Sequence, residues 1–160
     1  SDEGDVHEQD NNKQNDSEIS EIDLTNKGIP VIITAPKGAE VTEGFANGEI
    51  AGIIWINYEV NIDKFLLDVT MQDEDVSDDI SVYIENAKAI ETSQEYFSEF
   101  IKEEENGYIA RIVSEDGPDY AFYYVLVKDN RAIEFSQGLN FDYYTLEEIE
   151  TLYEAAKDAK

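Results

Sequence analysis

Apolar residues alternate with polar ones in one clear stretch and recur every three to four residues in two others. Phe65, Leu67, Val69 and Met71 alternate with Leu66, Asp68, Thr70 and Gln72, the period of a strand with one half-polar face. Ile50 to Val60 is apolar on both parities through Ile56, and Tyr120 to Val127 is similar, so both read as central strands. Pro30 to Thr34, Ala39 to Phe45, Tyr108 to Val113 and Arg131 to Ser136 add shorter strands. The turns between them are Ala35–Gly38, Ala46–Glu49, Asn61–Lys64, Ser114–Pro118 and Asp129-Asn130. Apolar positions at Val76, Ile80, Ile84, Ala87, Ile90, Phe97 and Ile101 predict a helix over about 79–105, closed by Asn106-Gly107. The first five residues of that run also alternate, and Thr92-Ser93-Gln94-Glu95 has the form of a capping box, so two elements are an open alternative. A last helix carries Leu146, Ile149, Leu152, Tyr153 and Ala156 on one stripe, opened by a second box, Thr145 with Glu148.

Strands joined by tight turns pair antiparallel. The expectation is therefore an α+β fold: an antiparallel sheet of about six to seven strands covered by two helices, spanning 29–160. Residues 1–28 hold few apolar side chains and no aromatic ring, so they read as a disordered acidic tether. Only Ile19, Ile22 and Leu24 offer groups that could dock on the domain.

Charge narrows the partners. The chain has 38 acids, 11 bases and a formal net charge of −27. Nine acids and one base precede Leu24, so the expected folded part is itself strongly acidic. Such a field repels nucleic acid and anionic headgroups and favours cationic partners, divalent cations, or no partner at all. The chain contains no cysteine, which excludes disulfides, zinc thiolate sites and cysteine catalysis.

The opening Ser1-Asp2-Glu3-Gly4-Asp5, followed by a polar stretch, resembles the acidic export signal of Bacteroidetes-type surface lipoproteins. The match rests on Ser1, Asp2, Glu3 and Asp5, with Gly4 interrupting the run. The resemblance implies a lipidated cysteine before Ser1, an extracytoplasmic location, and membrane attachment only through that lipid. The element order is similar to that of PsbP-like and DcrB-like α/β/α sandwiches, a likeness that implies no catalytic residues.

Catalytic signals are sparse. The sole histidine is His7, in the expected tether, so histidine-based triads have no ordered base. The nucleophile-elbow, P-loop and dinucleotide motifs are absent. Carboxylates remain, and with 38 of them a chance pair carries little information. For calcium, Asp73, Asp75 and Ser77 imitate the first three ligand positions of an EF-hand. Asp78 follows where that loop needs glycine, and Ile84 stands where it needs glutamate. The competing reading is a solvated loop whose Asp78 or Asp79 caps a helix. Phe141, Tyr143 and Tyr144 sit together in an expected loop and form a candidate binding patch, if they do not fold back on the core. The function expected from all this is a non-enzymatic binding or adaptor domain with a protein or glycan partner. The alternatives are an acidic immunity-type or chaperone-type protein that binds a basic partner, and a carboxylate-based hydrolase.

Overall fold

The computed structural model describes residues 18–76 and 78–160. It is an α+β fold in which every strand pairing is antiparallel. The strands are β1 (Ile19–Asp23), β2 (Ile32–Pro36), β3 (Glu40–Glu43), β4 (Gly48–Ile50), β5 (Ile53–Ile62) and β6 (Phe65–Gln72). Helix α1 (Ile80–Thr92) precedes β7 (Phe97–Glu103), β8 (Gly107–Ser114), β9 (Gly117–Lys128) and β10 (Arg131–Gln137), and α2 (Leu146–Lys157) closes the chain. The main sheet runs β3-β5-β6-β10-β9-β8-β7, with β4 also paired to β5. Strands β1 and β2 form a separate two-stranded sheet.

The two faces of the main sheet are covered differently. On one face, β6 presents Phe65, Leu67, Val69 and Met71, β10 presents Ile133 and Phe135, and β9 presents Phe122. These pack with Ile149, Leu152, Tyr153 and Ala156 of α2 and with Val31, Ile33 and Ala35 around β2. Each large side chain so buried contributes about 1.5–3 kcal/mol. Helix α2 starts where the sequence places it. Thr145 Oγ1 accepts from the Glu148 amide at 3.1 Å, and the Thr145 amide donates to Glu148 Oε1 at 2.8 Å. On the other face, α1 packs a smaller cluster of Ile84, Val125 and Ala132.

The stretch expected to be a tether, with only Ile19, Ile22 and Leu24 able to dock, begins to fold at Ile19. Strand β1 pairs with β2, and Leu24 is 0% exposed inside the main core. Ile19, Ile22 and Leu24 are few, but one of them fills a core site that the other elements leave open, which outweighs the polar composition around it. The backbone of Ile32 exchanges two hydrogen bonds with Lys160, and Lys160 Nζ meets Glu21 at 2.7 Å, so this corner also holds the end of α2. The acidic opening itself, Ser1 to Asp5, lies outside the described residues.

Two further expectations are corrected. The run Ile50–Val60 is not one strand: Ala51 (φ 54°) and Gly52 (φ 83°) make a two-residue turn between β4 and β5. The segment 79–105 is a helix followed by a strand. Helix α1 ends at Thr92, and Asn106-Gly107 turns β7 into β8 rather than ending a helix. The helix-like spacing beyond Thr92 comes from irregular pairing. Register shifts between Phe97 and Glu99 and between Phe100 and Lys102 each add a residue to β7. Phe97 and Phe100, three apart, therefore lie on the same face with ring centroids 5.0 Å apart. At the other turn, Gly107 passes close to β9: a Cβ there would come 2.5 Å from the Tyr123 carbonyl oxygen.

Replacing Leu24 with Ala is expected to cost about 2–4 kcal/mol, read as a lowered urea midpoint. A change within about 0.5 kcal/mol, the size typical of a surface site, would show that β1 and its flank are not part of the cooperative unit.

Candidate functional site

Helix α1 lies over part of its face and leaves a groove beside it. Its N-cap is Asp79, whose carboxylate accepts from the Ser81 amide at 3.2 Å. Ile84 is its buried residue, whereas Ile90 is 65% exposed. Polar contacts tether the helix along one side. The Tyr108 hydroxyl lies within hydrogen-bonding distance of the Ala87 carbonyl (3.3 Å) and Glu91 Oε1 (3.2 Å). Lys88 Nζ reaches Glu103 Oε1 at 2.6 Å and stands 5.3 Å above the Phe100 ring.

The groove has a volume of about 420 Å³. Its floor is built from the polar-parity positions of three paired strands: Trp55 of β5 opposite Gln72 of β6, with Glu134 and Ser136 of β10 beyond them. Tyr123 of β9 joins the floor, and Tyr83, Asn86, Ala87 and Ile90 of α1 form the wall. A second cleft of about 240 Å³ shares Gln72, Tyr83, Asn86 and Glu134 and runs toward the 73–78 loop.

Two carboxyls reach this groove, and each meets a tyrosine. Tyr123 donates to Glu134 Oε1 at 2.6 Å, and Tyr108 contacts Glu91 as above. The two tyrosine rings stack with centroids 5.9 Å apart. Burial pushes both carboxyls toward the neutral acid, opposed in each by the tyrosine hydrogen bond. Burial, reinforced by the neighbouring glutamate, pushes Tyr108 and Tyr123 far above the usual phenol range, so both stay hydroxyl donors. Tyr83 is also raised, by burial first and then by Glu134, Asp78 and Glu74.

Farther along the same face, Asn57 is 3% exposed and acts as a polar hub. Its side-chain nitrogen donates to Asp68 Oδ1, the Val69 carbonyl and Thr70 Oγ1, while its oxygen accepts from the Ala46 amide. The side-chain amide of Asn47 bonds both the N–H and the carbonyl of Asn57, taking the place of a strand residue between β3 and β4. This network pins the 44–47 loop beside the sheet. Nearby, burial raises the Glu59 carboxyl, with the charge of Asp68 adding to it.

The residues singled out from sequence fare unevenly. Asp73 and Asp75 converge on Arg131, whose Nε is 3.4 Å from Asp73 Oδ1 and whose Nη1 bonds Asp75 Oδ1. Arg131 thus stands beside both carboxylates. Asp78 borders the smaller cleft, Ser77 lies outside the described residues, and Asp79 rather than Asp78 caps α1. No group of three or more potential metal-ligating side chains forms among the described residues. The aromatic patch divides. Phe141 is 99% exposed and Tyr143 40% exposed, but Tyr144 is 4% exposed and donates to the Gly138 carbonyl at 2.7 Å. Tyr144 is a core residue because that carbonyl satisfies its hydroxyl inside the protein. Tyr143 is held at the surface by Ser114 Oγ, 2.9 Å away.

Trp55, Tyr83, Asn86 and Glu134 were not singled out from sequence. The available signal was a lone acid, Glu134, between apolar Ile133 and Phe135 in a strand. The chain matches no protein-family model, no curated protein and no solved structure. No helix among the described residues is long and apolar enough to cross a membrane.

The raised carboxyl of Glu134 makes the stability of the fold depend on pH. The folded state holds this proton more tightly than the unfolded chain does. The resulting stability is complete below the ordinary glutamate value, near pH 4.3, and is lost as pH rises through the higher folded value. Glu134→Gln keeps an acceptor for Tyr123 and removes the titration. The variant is expected to match the parent near pH 4 and to melt higher at about pH 8. A variant that melts lower than the parent at about pH 8, with the gap narrowing as pH falls, would show that the ionised carboxylate is the stabilising form.

Proposed function

We propose that this protein is a binding module that holds its ligand in the α1 groove without transforming it, and that it acts outside the cell. The observation that carries the reading is the groove itself: a concave, partly aromatic site with open polar groups, set against the sheet. Its volume falls in the range of small-molecule sites, about 300–1,000 Å³. The extracytoplasmic location rests on the resemblance of Ser1, Asp2, Glu3 and Asp5 to surface-lipoprotein export signals.

Two carboxyls in one groove also invite a reading as an acid–base enzyme. Their electrostatics favour binding instead. Acid–base division of labour needs two groups whose protonation is driven apart. Burial drives Glu134 and Glu91 in the same direction, and a tyrosine hydroxyl already contacts each.

The reading is tested by mapping small-fragment binding onto the amide and indole NMR signals of the domain. Hits are expected to converge on the Trp55 indole and on residues 83–91. Hits that converge on the Phe141 loop, or that leave Trp55 and α1 unperturbed, would contradict it.

A further inference from the structure

The chemistry of the groove lining restricts what can sit there. Gln72, Asn86 and Ser136 line it, and their side chains make no hydrogen bonds among the described residues. An apolar ligand would cover those amides and that hydroxyl without offering them partners, which disfavours its binding. An anion would enter the field of a chain with net charge −27 and meet Glu134 and Glu91 at close range. A cation finds less than the acidity suggests. Burial biases both carboxyls toward neutrality, and Arg131 already engages Asp73 and Asp75 at the neighbouring loop. A neutral molecule with one flat apolar face and several hydroxyls satisfies all three conditions.

We infer that the groove binds a neutral carbohydrate, with a sugar ring lying against Trp55 and its hydroxyls bonded by Gln72, Asn86 and Ser136. The inference rests on the groove being the ligand site. A pyranose ring offers axial C–H groups to an aromatic face and hydroxyls around its rim. Side-chain amides suit that rim because each can donate and accept at once. Tyr83, opposite on α1, supplies a second aromatic surface and a hydroxyl. The tyrosine–carboxyl pairs hold the floor in shape: Tyr123 orients Glu134, and Tyr108 links Glu91 of α1 to the sheet.

Trp55 is the sole tryptophan of the chain, so its emission reports on this groove. The experiment titrates the intact protein with neutral β-glucan, xylan, mannan and chitin oligosaccharides, and with oligolysine as a cationic peptide, each at low and high salt. At least one oligosaccharide is expected to shift Trp55 emission saturably and with little salt dependence. Followed by calorimetry, Trp55→Ala is expected to weaken that binding by roughly tenfold or more. Asn86→Phe, a change at an exposed helix position that spares the core, is expected to do the same by filling the groove. A response to oligolysine alone, abolished by salt, would keep the groove as a binding site and overturn the carbohydrate assignment. Oligosaccharide binding unchanged by both substitutions would place the sugar elsewhere and overturn the groove. Silence across the oligosaccharides would overturn the carbohydrate assignment, with the fragment map deciding on the groove separately.

Discussion

Burial of the α2 stripe against one face of the sheet is the constraint on which the rest of the structure depends. Tyr153 is its centre. The side chain is fully buried, with its ring 5.7 Å from Tyr124 and 6.1 Å from Phe122, and its hydroxyl donates to Glu104 at 2.6 Å. Lys102 and Lys157 stand over the same ring, and Lys157 also meets Glu104. One residue thus joins the helix, the middle strands and the β7–β8 turn. Gly107 lies against it because a side chain there would strike both the Tyr153 hydroxyl and the β9 backbone.

With that face sealed by α2 and the β1–β2 corner, the opposite face is free to be different. Helix α1 has Ile84 as its buried residue and is otherwise held through Tyr108 and Lys88. Polar residues that would be costly in the first core are arranged in networks on the second face: Asn57 with Asp68 and Thr70, Tyr123 with Glu134. Buried polar groups are tolerable when they are bonded, and the bonding fixes where the groove floor and its loop stand. The proposed function therefore rests on unequal coverage: the larger core lies on one side and the groove on the other.

Much of the first face was legible in the sequence. The alternation in β6 and the capping box of α2 both point to the elements observed, since each signal reflects burial of a single face. The Asp129-Asn130 hairpin was readable too, as a two-residue turn in which both residues adopt positive φ. What failed to show has physical reasons. Strand β7 hides because its bulges convert a period of two into a spacing of three. Strand β1 hides because a short strand of a two-stranded ribbon exposes every other residue, here Ile19, Glu21 and Asp23. The groove was the least legible, because it is made by residues distant in sequence, Trp55, Gln72, Asn86 and Glu134, which only the strand order brings together. The acidic loop and the aromatic cluster were conspicuous for the opposite reason: local runs stand out in a sequence whether or not they build a site.

Unequal sealing of the two faces can be read directly from backbone hydrogen exchange. Amides of α2 are expected to exchange only through global unfolding, whereas those of α1 open locally and exchange at least about tenfold faster under native conditions. Equal protection of the two helices would contradict the account. It would mean that α1 is as firmly packed as α2 and that the face beneath it is core rather than a site.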